Sequence, residues 1–151
     1  MTSSSVPRNP LKMIGRANRA FTRVADLELR ELGFAMGQLP VLMGLKHGQR
    51  LTQMELARLA QVEQPSMAQL LNRMERDGLV ERVADAADKR SRLITLTPTA
   101  TKRMPKAKAV MDALAEQALA GFSATEIAQL ENFLVRLNGN IDRMGGDGVA
   151  P

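Results

Sequence analysis

Apolar and polar positions alternate along this chain in two distinct periods, and the changes between them mark its elements. After Pro10, the set Ile14, Ala17, Phe21 and Val24 recurs at spacings of three, four and three. That spacing predicts a helix with a single apolar stripe running to about Leu32, stopped by Gly33. A shorter, buried helix is predicted from Leu39, Leu42, Met43 and Leu45, ending at His47 and Gly48. Thr52-Gln53-Met54-Glu55 is a capping box, because a hydroxyl and a carboxylate three residues apart can each satisfy the other's free backbone N–H. Leu51 and Leu56 flank it as a hydrophobic staple, and the helix it opens should reach Ala60. Only Gln61, Val62 and Glu63 then intervene before a second amphipathic stretch, in which Pro65 suits the first turn. Met67, Leu70, Leu71 and Met74 form its inward stripe, and Gly78 terminates it.

At that glycine the period changes from helical to strand-like. Residues 79–84 and 92–97 alternate aliphatic or β-branched with polar side chains, which predicts a β-hairpin closed by the charged loop 85–91. Beyond Pro98 the helical period returns, with Met104, Ala107, Met111, Leu114 and Ala118 at spacings of three and four. Gly121 punctuates, Ser123-Ala124-Thr125-Glu126 is a second capping box, and Ile127, Leu130, Leu134, Leu137, Ile141 and Met144 repeat the same seam. The predicted class is mainly α with one small β-hairpin, in a single domain of about 11–144. The polar segment 1–10 and the Gly-rich segment 145–151 are expected to be flexible tails.

Composition narrows the chemistry. The 151 residues contain no Cys and a single His, His47, which removes thiolate zinc sites, disulfides and thiol redox switches and leaves no multi-histidine metal site. No cofactor is expected. Acid/base catalysis would have to rest on scattered Asp and Glu, with no Ser-His, Cys-His or glycine-rich phosphate motif, so an enzyme is the poorest fit. With no apolar leader and no run of 18 apolar residues, neither secretion nor a membrane span is expected, and a cytoplasmic protein is the default. The net charge of +5 favours anionic partners. The excess avoids the C-terminus, since residues 121–151 sum to −2.

Helix, three-residue turn, helix and a hairpin with a basic tip form a helix-turn-helix followed by a wing, a layout whose parts each suit double-stranded DNA. A helix fits the major groove and presents side chains to base edges, while a basic loop reaches the backbone or the minor groove. On a helical wheel Pro65, Gln69, Asn72, Arg73 and Arg76 lie opposite the Met67, Leu70, Leu71 and Met74 stripe, with chemistry that suits bases and phosphates.

Three motifs then make the chain resemble the MarR family of winged-helix transcription factors over roughly residues 11–144. They are the passage from Leu70-Leu71-Asn72-Arg73 through Gly78-Leu79-Val80-Glu81-Arg82, the wing Asp88-Lys89-Arg90-Ser91-Arg92, and the Leu96-Thr97 that closes it. Val62-Glu63-Gln64-Pro65-Ser66 and the segment 119–123 look like the SlyA-type branch. The resemblance implies a winged helix-turn-helix at about 38–97 and dimerisation helices at about 11–32 and 98–144. It implies a homodimer on a palindromic operator, acting as a repressor relieved by a small aromatic or phenolic, anionic effector. Gln64, Pro65, Ser66 and Arg73 match groove-facing positions. Gln69 stands where relatives commonly carry a basic residue and Ala68 where Thr is frequent, and Gln69 can still read adenine. Asp88 and Arg90 match positions where relatives use Arg to enter the minor groove and Asp to hold that Arg.

Plainer readings stand beside these. A charged hairpin loop is ordinarily a solvated turn, and the ten Met residues are adaptable core filling rather than an oxidation sensor. His47 reads as an exposed helix C-terminal cap, with an effector contact as its other reading. Arg16, Arg19 and Arg23 are by default solvated. As effector residues, one of them would pair with a carboxylate between the first two helices and the winged region. The alternative to DNA binding is a helical protein-interaction adaptor that keeps the winged-helix fold.

Overall fold

The computed structural model describes residues 9–146, and their architecture is mainly helical with a two-stranded antiparallel hairpin. In chain order the elements are α1 (Pro10–Arg30), α2 (Leu39–Leu45), α3 (Gln53–Ala60), α4 (Gln64–Arg76), β1 (Val80–Ala84), β2 (Arg92–Leu96), α5 (Pro98–Ala118) and α6 (Ala124–Gly146). Short 3-10 turns occupy Met36–Gln38 and Lys46–Gly48. The chain divides into two compact units between Asp112 and Ala113. Most of the segments expected to be tails, 1–8 and 147–151, lie outside the described residues. Within them Asn9 caps α1, its Oδ1 accepting from the Leu11 N–H at 2.9 Å, and α6 continues through Gly145 and Gly146.

In the first unit the core forms where α2, α3, α4 and the hairpin meet. Leu42, Leu45, Leu56, Leu71 and Met74 are fully or almost fully buried there, joined by Ile94 from β2. The inward stripe of α4 is as its period predicts, with Met67, Leu71 and Met74 buried and Leu70 half-buried. The apolar stripe of α1 is only partly covered. Ala25 and Leu29 are the buried residues of that helix, whereas Ile14, Ala17 and Val24 are exposed and Phe21 half-buried. Periodicity finds an apolar face but not what covers it, and this one is uncovered in the single chain. Met43 on α2 is likewise exposed.

Local signals place the turns. Thr52 Oγ1 accepts from the Glu55 N–H at 3.2 Å and Glu55 Oε2 accepts from the Thr52 N–H at 2.8 Å, so the capping box is complete. The three-residue turn begins with Gln61 in the left-handed region (φ 54°) and is closed by the Val62 N–H donating to Ala57 O at 3.0 Å. Gly78 (φ 74°) ends α4 in a Schellman arrangement: its own N–H donates to Glu75 O and the Leu79 N–H to Met74 O. His47 does not cap α2 in the ordinary way, for it stands beyond the helix in a left-handed turn with φ 61°.

The hairpin pairs Val80 with Leu96 through Ala84 with Arg92, and β2 ends one residue short of the expected Thr97. Sequence period missed a third participant. Leu51 exchanges two backbone hydrogen bonds with Ile94, at 3.1 and 2.7 Å, tying the entrance of α3 to the wing. Thr97 locks the far end. Its hydroxyl donates to Gly78 O at 2.6 Å and accepts from the Ala100 N–H at 3.2 Å, joining the end of α4 to the start of α5.

The second unit holds the end of α5 and all of α6, connected by a turn in which Gly121 has φ 86°. The Ser123–Glu126 capping box forms as predicted, with hydrogen bonds of 3.1 and 2.8 Å. No residue of α6 is buried, and Leu130, Ile141 and Met144 of its seam are exposed.

Candidate nucleic-acid interface

The candidate interface is built on the α3–α4 pair and the wing. The N-cap position Glu63 of α4 makes no side-chain capping bond, and Pro65 occupies its first turn, so backbone donors at this end remain free of side-chain partners. Pro65, Ser66, Gln69, Asn72 and Arg73 are exposed on the side of α4 away from the buried Met67, Leu71 and Met74, and Gln64 is exposed at the helix's N-terminal end. Their exposure is a consequence of the 3.6-residue period once the opposite stripe is buried.

At the tip of the hairpin, Asp85 Oδ1 accepts from the Ala87 N–H at 2.9 Å and Asp88 Oδ1 from the Arg90 N–H at 3.0 Å. The Ser91 N–H donates to Asp88 O at 3.0 Å. Asp88 therefore shapes the loop through the Arg90 backbone rather than through its guanidinium. Lys89, Arg90 and Arg92 are exposed. Among the described residues Arg73, Arg76, Lys89, Arg90 and Arg92 enter no ion pair, which leaves their charge available to an anionic partner. Acidic side chains are interspersed with them, so the region from 50 to 92 carries only +1 in sum.

One ion-pair cluster organises this surface. Arg82, on β1, lies with Nη1 2.8 Å from Glu75 Oε1, and its Nη2 donates to Asn72 Oδ1 at 2.9 Å. Arg82 stands in the passage that carries the family resemblance, but nothing local in the sequence pairs a strand residue with one ten positions earlier.

The expected effector residues fall differently. Arg19 and Arg23 line a surface groove of about 410 Å³ with Thr22, Asp26, Leu27 and Arg30, but every lining residue belongs to α1, so it is the flank of one helix. Arg16 is exposed outside that groove, and His47 is exposed at the end of α2. A hollow of about 540 Å³ does adjoin the winged region, and its cations are Arg30 and Arg103, with Asp26, Phe34, Gln38 and Asp77 around them. The period of α1 could not reveal it, because Arg103 comes from α5 and Asp77 from the end of α4. Gly33 permits the close approach there, since a Cβ at this position would meet Arg103 Nη1 at 3.0 Å. Among the described residues no cluster of His, Cys, Asp and Glu is placed to hold a metal ion, and no helix is long and apolar enough to cross a membrane.

Helix-turn-helix, an antiparallel wing packed behind it and flanking long helices define a winged helix-turn-helix protein. The MarR family profile matches residues 32–91, which spans the α2–α4 core and most of the wing. The transcriptional regulator PA3341 is 32% identical, covering 89% of this chain and 99% of its own, with a TM-score of 0.75. The transcriptional regulator SlyA is 28% identical over 90% of this chain and 96% of its own, with a TM-score of 0.82. MepR from S. aureus, solved as a DNA complex, shares the fold at 23% identity and a TM-score of 0.80, covering 88% of this chain and 98% of its own. The chain belongs to the MarR family of transcriptional regulators.

Proposed function

We propose that this protein is a DNA-binding transcriptional regulator that acts as a homodimer on a palindromic operator. The observation that carries the reading is the juxtaposition of an exposed, uncapped and polar α4 face with a wing tip bearing Lys89, Arg90 and Arg92, all on a rigid core. Gln64, Pro65, Ser66, Gln69, Asn72 and Arg73 would face the major groove, and Arg90, with its loop shaped by Asp88, the adjacent backbone or minor groove. Solved complexes of E. coli MarR with operator DNA and of S. aureus MepR with DNA support the reading at the level of the fold. A regulator of this kind works in the cytoplasm, where its DNA is.

Binding to duplex DNA should fall steeply with salt, because each phosphate neutralised releases condensed counterions. Arg90→Ala should weaken binding across sequences and flatten the log–log salt slope by about 1. Selection from random duplexes should enrich inverted repeats with half-site centres about 10 base pairs apart or a multiple of that. Binding that ignores salt, or enrichment of unsymmetrical single sites, would refute the reading.

Regulation by repression relieved through a small aromatic anion belongs to the same proposal, with Arg30 and Arg103 of the 540 Å³ hollow as the carboxylate partners and Phe34 as the apolar wall. Salicylate should raise the thermal midpoint of the free protein and release DNA beyond a chloride control. Arg103→Ala should abolish both effects, and an unchanged response in that variant would remove the hollow from the scheme.

A further inference from the structure

Among the described residues, Arg82 provides the only side-chain bridge from the hairpin strands to α4, and it lands on a residue of the candidate reading face. Its guanidinium spans Asn72 Oδ1 (2.9 Å) and Glu75 Oε1 (2.8 Å), three residues apart and therefore neighbours on one side of the helix. The Arg82 side chain is only 24% exposed, so this fork sits partly out of water and is pinned at both prongs. A guanidinium carries five donors and no acceptor. The amide atom facing it must therefore be the Asn72 carbonyl oxygen, and the amide's orientation is chosen by chemistry. What Asn72 turns away from Arg82 is its NH2 group.

This inference rests on the DNA-binding reading and deepens it. We propose that Arg82 is a positioning residue that makes Asn72 read DNA as a hydrogen-bond donor, selecting a base whose major-groove edge offers an acceptor and disfavouring adenine. Bidentate recognition of adenine needs the amide oxygen to accept from N6–H2 while the amide nitrogen donates to N7. With Oδ1 engaged, a second donor would have to approach it beside a positive guanidinium, which repels it. The same charge favours an acceptor, and guanine O6 and N7 or thymine O4 present one with no donor beside it on the same base, whereas adenine N7 adjoins the N6–H2 donor that the guanidinium repels. Glu75 completes the device. Its carboxylate holds Arg82 against α4 through the other prong of the fork, where an unpaired guanidinium would swing to a phosphate and release the amide.

The test is selection from random duplexes by the full-length protein and three variants, with thermal melts as the folding control. The wild-type arm reports on DNA binding itself, because failure to enrich any sequence refutes the DNA-binding reading and this inference with it. Asn72→Ala should make one base pair per half-site degenerate, which locates the pair that Asn72 reads. At that pair the wild type should select guanine or thymine over adenine. Arg82→Met should shift preference there toward adenine by roughly tenfold, the equivalent of about 1.4 kcal/mol, while other positions keep theirs. Asn72→Asp retains the contact with Arg82 as an ion pair, so it decides the matter even where Arg82→Met does not fold. It replaces the donor by an acceptor and should move the preference to cytosine, whose N4 donates. A wild type that selects adenine at the located pair, variants whose preference there is unchanged, or an Asn72→Ala protein with no degenerate position would each overturn the proposal.

Discussion

Ile141→Glu should dissociate the proposed homodimer, and Val135→Glu should not. In the single chain Leu130, Phe133, Ile141 and Met144 keep between 39% and 79% of their surface exposed on a helix with no buried residue. A large apolar side chain contributes about 2 kcal/mol on full burial, so covering the exposed part of these four contributes roughly 10 kcal/mol over a two-fold pair. Association costs about 4–15 kcal/mol in lost freedom, so α6 alone is marginal. The exposed Ile14, Val24 and Leu27 of α1 offer roughly 6 kcal/mol more, which tips the balance. Ile141→Glu removes about 1 kcal/mol of that burial per protomer and forces a carboxylate out of water at several kcal/mol more. Two-fold symmetry doubles the loss to roughly 6 kcal/mol or beyond, about four decades in the dimer dissociation constant. Val135 is exposed too, yet it lies about 100° round the helix from Leu134 and about 120° from Ile141. Sedimentation velocity from nanomolar to micromolar protein, with circular dichroism to confirm folding, separates the two variants. A folded Ile141→Glu dimer as tight as the wild type, or dissociation by Val135→Glu instead, would show that the seam is not the interface.

Three further substitutions probe the frame that holds α4. Leu71→Ala should cost about 2–5 kcal/mol in chemical denaturation, because Leu71 is fully buried in the core beneath the candidate reading face. Gly78→Ala should cost about 1–2 kcal/mol through backbone strain alone, since φ is 74° and no atom lies within 4 Å of the added Cβ. Thr52→Ala should lower stability by about 1 kcal/mol by opening the capping box, and a loss below the error of a denaturant titration would refute that assignment.

The helix-turn-helix was legible because its signals are local. A capping box, a stripe at 3.6-residue spacing and a terminal glycine each report on neighbours within one or two turns, and Thr52, Met67 to Met74 and Gly78 all do as expected. The hairpin was legible from alternation, with both inner boundaries as expected and each outer one within one residue. What escaped is long-range. The Leu51–Ile94 bridge is a single residue pair with no period to betray it, and the Arg82 fork pairs a strand with a helix face. The hollow escaped for the same reason, so that Arg16, Arg19, Arg23 and His47 were singled out while Arg30 and Arg103 were not. Pro105 shows the converse, for α5 runs continuously from Pro98 to Ala118 around a residue that by itself argues for a break.

The partly covered stripe of α1 carries the larger lesson. A helix with one apolar stripe can satisfy itself against its own core, but α1 has a buried set, Ala25 and Leu29, and a second set, Ile14, Ala17 and Val24, left open. Ile14 and Ala25 lie only about 20° apart round the helix, so one broad apolar side needs two coverings along its length, one intramolecular and one that the single chain does not supply. Near its C-terminal end the same helix borders the hollow with Arg30 and Asp26, and Asp26 Oδ1 accepts from the Met36 N–H at 2.7 Å, steadying the turn that leads into α2. Under the proposed regulation, an anion held between Arg30 and Arg103 therefore acts on a helix that is also a proposed dimer element and on the turn that enters the winged region. Such an anion shifts the protein between DNA-bound and free states only by the difference in its affinity for the two. A hundredfold difference corresponds to about 2.7 kcal/mol, comparable to the worth of one or two charged hydrogen bonds, so Arg30 and Arg103 suffice if only one state brings both onto the ligand.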